Sequence, residues 1–172
     1  MGAKASTRTS LAYIGIGSNM GKSLQNCYKA IDFIDQTDDC SVAKISAFYR
    51  TEPQGAACRD WYVNGVIEIE TSLDPHELLN ALLSIEAGMG RVRRQKWEAR
   101  IIDLDIIFYD DAIIRQPDLQ VPHPLMHERR FVLVPMARLN PGWIHPVLGK
   151  SMAELLTDLD ARGQAVLPLG DL

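Results

Sequence analysis

The sequence predicts an α+β fold, a ferredoxin-like α/β sandwich with a largely antiparallel sheet. Strand-like and helical patterns follow one another in the order strand, helix, strand, strand, helix, strand, and further helices come after them. The two central strand-like runs, Val42–Thr51 and Tyr62–Thr71, are rich in β-branched and aromatic residues and are joined by a loop with turn residues. Strands paired in this way between two crossover helices are typical of the split βαβ arrangement.

The first predicted strand and helix enclose a glycine-rich turn. Leu11–Ile16 is a short apolar run that ends at a glycine, and Gly21–Gln36 carries apolar side chains at helical spacing. The glycines between them miss both the Walker A spacing and the dinucleotide-binding spacing by one position. A tight turn with Ser18 or Asn19 as the helix cap is therefore the prediction.

The second predicted helix has clear boundaries. Asp74 is a good N-cap, Pro75 suits the first turn, and Glu77 completes a capping box. Gly88 or Gly90 is expected to end the helix.

One more strand and two helices are predicted in the remainder of the chain. The strand spans Ile101–Tyr109, and a proline-rich turn at Val121–Pro124 precedes a helix over Arg129–Leu139. Pro135 is expected to kink or restart that helix. The last helix starts at a capping box that begins at Ser151.

Length and composition restrict the class of protein. The chain has 172 residues, of which 47% are apolar and 23% are charged, and these values exclude a disordered chain or a disulfide scaffold. We expect a single domain over residues 11–160, with a flexible leader at 1–10 and a tail at 161–172. The net charge of −4 means that an anionic ligand needs a local basic cluster.

The cysteines and the hydropathy pattern bear on the compartment. There are 3 cysteines without a CxxC pair, as expected for free thiols in a reducing compartment. No apolar run approaches the roughly 18 residues that span a membrane, and the first ten residues are polar. We expect a cytoplasmic monomer that binds neither membrane nor nucleic acid.

The most informative feature is a pair of carboxylates in an apolar strand. Asp103 and Asp105 are two positions apart, so their side chains point to the same side of the strand, about 7 Å apart. Leu104 and Ile106 take the opposite face. Hard carboxylate oxygens suit Mg²⁺, and two such ions could be shared between the aspartates.

A basic run lies directly upstream of this pair, with Trp97 among its members: Arg91, Arg93, Arg94, Lys96 and Arg100. Carboxylates that hold Mg²⁺ beside guanidinium groups that grip phosphate are what phosphoryl transfer requires. The alternative is structural, because the aspartates could sit at the sheet rim and form salt bridges with these arginines. The residues alone leave both interpretations open.

Other residues could contact a flat or anionic ligand. Tyr62 and Asn64 share one strand face, and an aromatic ring with an amide edge suits a heteroaromatic ligand. His123 lies in a Pro-His-Pro turn and is either a phosphate donor or an ordinary turn histidine. The spacing of His123 and His127 could suit zinc on a helix, but the prolines exclude a helix there.

Several motifs together resemble the 6-hydroxymethyl-7,8-dihydropterin pyrophosphokinases of folate biosynthesis. The most specific is the block Arg100–Ile107 followed by Val121–Pro124. The others lie between about Ala12 and Pro146: Ile16–Asn19, Phe48–Pro53, Tyr62–Asn64, Glu86, Gly90–Arg93 and Arg129–Pro135.

This resemblance implies transfer of pyrophosphate from ATP to the hydroxymethyl group of 6-hydroxymethyl-7,8-dihydropterin, with release of AMP. Asp103 and Asp105 would ligate two Mg²⁺ ions, and Asp105 is the proposed general base. Arg91 and Arg100 would stabilise the charge that develops at the phosphates. The implied nucleotide-binding residues are Glu86, Arg91, Arg100, His123 and Arg129.

The resemblance also implies a pterin site. Tyr62 and Phe131 would sandwich the ring, and Asn64 would read its polar edge. Thr51, the backbone near Pro53, and Trp97 in a closing loop complete the implied set of substrate-binding residues.

The chain departs from the family's pattern in that loop, where the usual Trp-Gly-Pro-Arg is Trp97-Glu98-Ala99-Arg100. Two other functions stay open. One is a relative with the same fold and ATP/Mg²⁺ site that acts on a different heteroaromatic acceptor. The other is a non-catalytic nucleic-acid-binding module, which the acidic net charge disfavours.

Overall fold

A computed structural model describes residues 8–53, 60–91, 99–159 and 162–170. Its strands are β1 Ser10–Ser18, β2 Cys40–Ile45, β3 Tyr49–Thr51, β4 Tyr62–Thr71, β5 Asp103–Tyr109, β6 Ile114–Arg115, β7 Gln120–Val121 and β8 Val166–Pro168. Its α-helices are α1 Ser23–Asp35, α2 Pro75–Gly88, α3 Arg130–Leu139 and α4 Met152–Asp158, with a 3₁₀ turn at Met126–Glu128.

The main sheet has six strands, and all of its pairings are antiparallel. The order is β5-β1-β4-β3-β8, and β2 also pairs with β4. The two long strands β1 and β4 lie at the centre because each can pair along its whole length. This order confirms the predicted ferredoxin-like sandwich.

Helices cover both faces of the sheet. On one face, α1 and α2 pack against alternate residues of the strands, among them Ile14, Ile16 and Leu104. On the other face, α3 and α4 cover Tyr13, Val66 and their neighbours. This second layer covers only part of its face, so the sheet beside the start of α3 stays open.

The local signals in the sequence place most elements correctly. β4 spans the predicted residues, and the Asp74 capping box at α2 is present, with the Asp74 carboxylate accepting from the backbone N–H of His76 and Glu77. Ser151 and Glu154 form the second predicted box. The predicted restart at Pro135 is wrong, because α3 continues through this residue as one helix.

The single strand predicted over Val42–Thr51 is wrong, because the structure divides it into β2 and β3. Ser46 lies at the break: its hydroxyl accepts from the N–H of Val66 at 2.9 Å and donates to the carbonyl of Ala47 at 2.8 Å. The next aromatic side chain, Phe48, turns into the core, where it lies against Gly65.

The predicted cap of the first helix is also wrong. α1 has Lys22 at its N-cap position, and no side chain caps it. Ser18 and Asn19 lie before this turn, Ser18 as the last residue of β1, and Asn19 has its partner on another segment of the chain.

Within the ranges listed above, none of the helices is long and apolar enough to cross a membrane.

Candidate active site

A cleft opens on the part of the sheet that α3 and α4 leave uncovered. It encloses about 940 Å³ including its open mouth, and β1, β3, β4, β5, the start of α3 and the segment before β8 contribute to its wall. Nine of the predicted site residues line it: Thr51, Pro53, Tyr62, Asn64, Arg100, Asp103, Asp105, Arg129 and Phe131. Residues far apart in the sequence are therefore brought to one place.

Two glycines make room for the acidic pair. In the pairing of β1 with β5, Gly17 lies opposite Asp103 and Gly15 lies opposite Asp105. Because these glycines have no side chains, the floor of the cleft beside each carboxylate is backbone. Leu104 packs on the opposite face, as the alternation of a strand requires.

Asp103 is held by two arginines. Arg91 Nη1 lies 2.7 Å from Asp103 Oδ1, and Arg100 Nη1 lies 2.9 Å from Asp103 Oδ2. The structural alternative for the acidic pair, salt bridges to the upstream arginines, is therefore present at Asp103. These contacts also place both guanidinium groups beside the cleft, where an incoming phosphate could compete for them.

Glu86 lies behind the cleft and organises it. The side chain is buried, its Oε1 forms an ion pair with Arg91, and it accepts a hydrogen bond from the N–H of Leu104 at 2.8 Å. The lining of the cleft does not include Glu86 or Arg91. Glu86 therefore connects α2, the basic segment and β5.

Asp105 has a different environment. No described residue donates a hydrogen bond to its carboxylate, and burial away from water is the largest influence on its ionisation. Burial, with the negative charges of Asp103 and Glu86, raises the pKa of Asp105 to about 7, although Arg129 and Arg100 act in the opposite direction. A carboxylate in this position is stabilised by a nearby cation.

The donor chemistry of the pair fits Mg²⁺. Both members supply hard oxygen ligands, and they face one cleft. Among the described residues, no cluster of three or more acidic, histidine or cysteine side chains could enclose a metal ion. This pattern matches Mg²⁺ sites in which one or two carboxylates bind the ion and substrate phosphates complete the coordination.

His123 lies at a second cavity, next to His127 and His145 and close to β7. Its Nδ1 accepts from the N–H of Leu125 at 3.2 Å, so the proton of the neutral ring is on Nε2. Burial and the positive charge of Arg129 lower the pKa of His123 to about 4. A neutral ring that donates through Nε2 can bind a phosphate oxygen.

The opposite side of the cleft carries the aromatic and amide groups. Asn64 Nδ2 donates to Thr51 Oγ1 at 2.6 Å, and this bond fixes the orientation of the buried amide. Tyr62 and Phe131 contribute rings to the lining, and the guanidinium of Arg129 lies 5.6 Å from the centre of the Phe131 ring. These groups suit a flat heterocycle with polar edges.

The segment 92–98, with the predicted residues Trp97, Arg93, Arg94 and Lys96, lies outside the described residues. Among the residues of the lining that were not predicted as site residues are Gly17, which the sequence showed only within the Ile16–Asn19 motif and a failed phosphate-loop spacing, and Gln164, which carried no signal. Asn19 does not line the cleft, but its Oδ1 accepts a hydrogen bond from the N–H of Arg100.

Comparison with known proteins matches the chain to one family. The model of the 7,8-dihydro-6-hydroxymethylpterin-pyrophosphokinase (HPPK) family matches residues 13–141. A 2-amino-4-hydroxy-6-hydroxymethyldihydropteridine pyrophosphokinase of Methylorubrum extorquens is 40% identical over 152 residues, which cover 88% of this chain and 95% of that protein. The Synechocystis protein of the same name is 41% identical over 149 residues, which cover 87% of this chain and 76% of that protein.

A solved structure confirms the fold. The HPPK-DHPS triple mutant of Plasmodium falciparum superposes with a TM-score of 0.68 at 15% sequence identity. The match covers 90% of this chain and 45% of that longer chain. Through the family match and these relatives, the chain belongs to the 7,8-dihydro-6-hydroxymethylpterin-pyrophosphokinase family.

Proposed function

We propose that this cleft transfers the pyrophosphoryl group of ATP to 6-hydroxymethyl-7,8-dihydropterin, the reaction of the family in folate biosynthesis. The hydroxymethyl oxygen gives up its proton to Asp105, the proposed general base, and bonds to the β-phosphorus. The bond between that phosphorus and the oxygen bridging to the α-phosphate breaks, and AMP leaves. One observation carries the assignment of the site. The acidic pair Asp103 and Asp105 and the aromatic and amide group of Tyr62 and Asn64 line the same cleft.

In this proposal, charged side chains bind the nucleotide and its metal ions. Asp103 and Asp105 hold Mg²⁺, in our proposal two ions, which when bound neutralise charge on the phosphates. Arg91 and Arg100 are pre-positioned by Asp103, and they bind phosphate oxygens as charge develops. His123 donates to the triphosphate through Nε2.

The pterin, which accepts the pyrophosphoryl group, is bound through its flat shape and through hydrogen bonds at its edge. Tyr62 and Phe131 stack on the two faces of the pterin, and Asn64 pairs with its polar edge. Thr51 Oγ1 fixes the Asn64 amide by accepting a hydrogen bond from Asn64 Nδ2. Because the ring is held before the nucleotide reacts, orientation supplies much of the rate enhancement.

We also propose that the enzyme acts in the cytoplasm as a monomer and without nucleic acid. The thiols of Cys27 and Cys40 are free, as in a reducing compartment. The net charge of −4 is opposite in sign to the positive charge typical of nucleic-acid-binding proteins.

A nucleotide-product assay tests the function. The protein is incubated with ATP, Mg²⁺ and 6-hydroxymethyl-7,8-dihydropterin, each is omitted in turn, and AMP is separated from ADP. AMP that requires both the pterin and Mg²⁺ is the expected result. ADP as the product, or AMP formation without pterin, would contradict the proposal, and turnover of other heterocycles alone would indicate a different acceptor.

A pair of variants tests the metal assignment. Asp105→Ala is expected to abolish turnover while the circular dichroism spectrum stays that of the wild type. The matched control is Asp111→Ala, an exposed aspartate in the turn after β5, which is expected to keep full activity. Near-normal activity of Asp105→Ala would exclude Asp105 as a metal ligand.

A further inference from the structure

The segment at residues 162–170 forms part of the cleft, although the family model ends at residue 141. β8 pairs with β3, with Val166 opposite Thr51. On one side of this pairing the N–H of Glu52 donates to the carbonyl of Ala165 at 3.0 Å, and on the other the N–H of Leu169 donates to the carbonyl of Phe48 at 3.1 Å. The segment is therefore fixed beside β3, along the part of the cleft that we assign to the pterin.

Gln164 is the residue of this segment that lines the cleft. Its backbone carbonyl accepts from Arg130 Nε at 3.1 Å, so the start of α3 holds it in place. Its side-chain Nε2 donates to the carbonyl of Glu52 at 2.5 Å. Because a carbonyl oxygen only accepts, the orientation of the amide is determined, and the nitrogen faces Glu52.

The other end of this amide lacks a partner. Gln164 Oε1 is buried, and no described residue donates a hydrogen bond to it. A buried acceptor without a donor costs free energy, and such atoms are few in folded proteins. An atom of this kind on the wall of a substrate cleft is accounted for by a donor on the ligand.

The groups that surround the proposed pterin site indicate which ligand supplies the missing hydrogen-bond donor. Asn64 Nδ2 donates one of its two hydrogens to Thr51, and Asn64 Oδ1 remains available as an acceptor at the cleft. Gln164 lines the same cleft and carries a second amide oxygen, which lacks a donor. Two acceptors beside aromatic rings complement a heterocycle that presents N–H groups at its edge, and a reduced pterin carries ring N–H groups and an exocyclic amino group.

We propose that Gln164 is a specificity-determining residue whose Oε1 accepts a hydrogen bond from an N–H group of the bound pterin. This proposal rests on the proposed function of the cleft. It assigns to the C-terminal segment a direct part in recognition of the acceptor, and none in binding of the nucleotide.

Gln164→Met tests the proposal, because it keeps the length of the side chain and removes the acceptor Oε1, together with the hydrogen bond from Nε2 to Glu52. Equilibrium binding of 6-hydroxymethyl-7,8-dihydropterin is measured by fluorescence, and KM is measured separately for pterin and ATP. We expect the Kd and KM for pterin to rise about five- to thirty-fold and the KM for ATP to stay within about twofold. Gln116→Met, the same change at an exposed turn, is the control and is expected to match the wild type.

Arg130→Met distinguishes direct recognition of the pterin by Gln164 from an effect of the position of segment 162–170. It removes the hydrogen bond from Arg130 to the Gln164 backbone, while the Gln164 side chain keeps its amide oxygen. We expect a smaller effect on pterin binding than for Gln164→Met. An equal effect, unchanged pterin binding in Gln164→Met, or an equal loss of pterin and ATP binding would each overturn the proposal.

The measurements separate the role of Gln164 from the function of the cleft. If the wild-type protein forms no AMP from ATP and pterin, the proposed function is wrong. If the wild type is active and Gln164→Met binds pterin as tightly as the wild type does, only the role of Gln164 is wrong.

Discussion

Asn19 and Arg100 are joined by two hydrogen bonds. The N–H of Asn19 donates to the carbonyl of Arg100 at 3.1 Å, and the N–H of Arg100 donates to Asn19 Oδ1 at 2.6 Å. Arg100 Nη1 in turn contacts Asp103. The end of β1 therefore positions the backbone of an arginine that we assign to phosphate binding.

Asn19→Ala is expected to lower kcat about tenfold, because the Arg100 backbone loses its acceptor and the guanidinium is less well oriented. The free energy of unfolding is expected to fall by about 1–2 kcal/mol. Steady-state kinetics and urea denaturation measure the two effects. Asn19→Asp keeps an acceptor oxygen at the same place and is expected to recover most of the activity; equal loss in both variants would show that the hydrogen bond to Arg100 is not the cause.

Gly17→Ala is expected to raise the KM for pterin about tenfold. A Cβ atom at this position would lie 2.5 Å from Asn64 Oδ1, and the Asn64 amide cannot move without losing its bond to Thr51. Gly88→Ala is the control, since a Cβ there meets nothing within 4 Å and lies in a helix that favours alanine. A wild-type KM in Gly17→Ala would contradict the placement of Asn64 at the pterin edge.

Lys22→Ala is expected to change kcat and KM by less than about twofold. Lys22 is exposed at the N-cap of α1, and it does not line the cleft. The measurement is steady-state kinetics at varied ATP. A large rise in the KM for ATP would mean that the glycine-rich turn binds phosphate after all.

His123 is expected to make stability depend on pH. Its folded pKa of about 4 lies below the ordinary value of 6.5, so between these values the unfolded state binds more protons. The contribution of neutral His123 to the free energy of unfolding is complete above pH 6.5 and is lost as the pH falls toward 4. Between pH 7 and pH 5 it amounts to a decrease on the order of 2 kcal/mol in the free energy of unfolding.

Urea denaturation of the wild type and of His123→Asn at several pH values checks this. The variant is expected to show the flatter dependence, because asparagine does not titrate in this range. A smaller slope is expected to remain, since burial also lowers the pKa of His145. Parallel curves for the two proteins would show that His123 is protonated equally in the folded and unfolded states.

Local patterns were sufficient for much of the fold and for the acidic pair. The alternation of β5 placed Asp103 and Asp105 on one face and Leu104 on the other, and the capping box at Asp74 placed the start of α2. These features depend on residues within a few positions of one another. The interruption between β2 and β3 was not predictable in this way, because it depends on the pairing of Ser46 with Val66.

The sequence by itself determined the class of fold, the carboxylate pair and the family, since periodicity, capping and motif spacing are all read along the chain. Only the tertiary structure decided how the cleft is supported. Asn19 and Arg100 are 81 positions apart, and Gln164 and Glu52 are 112 positions apart. Hydrogen bonds over such separations leave no local pattern, because they form only after the sheet has brought its strands together.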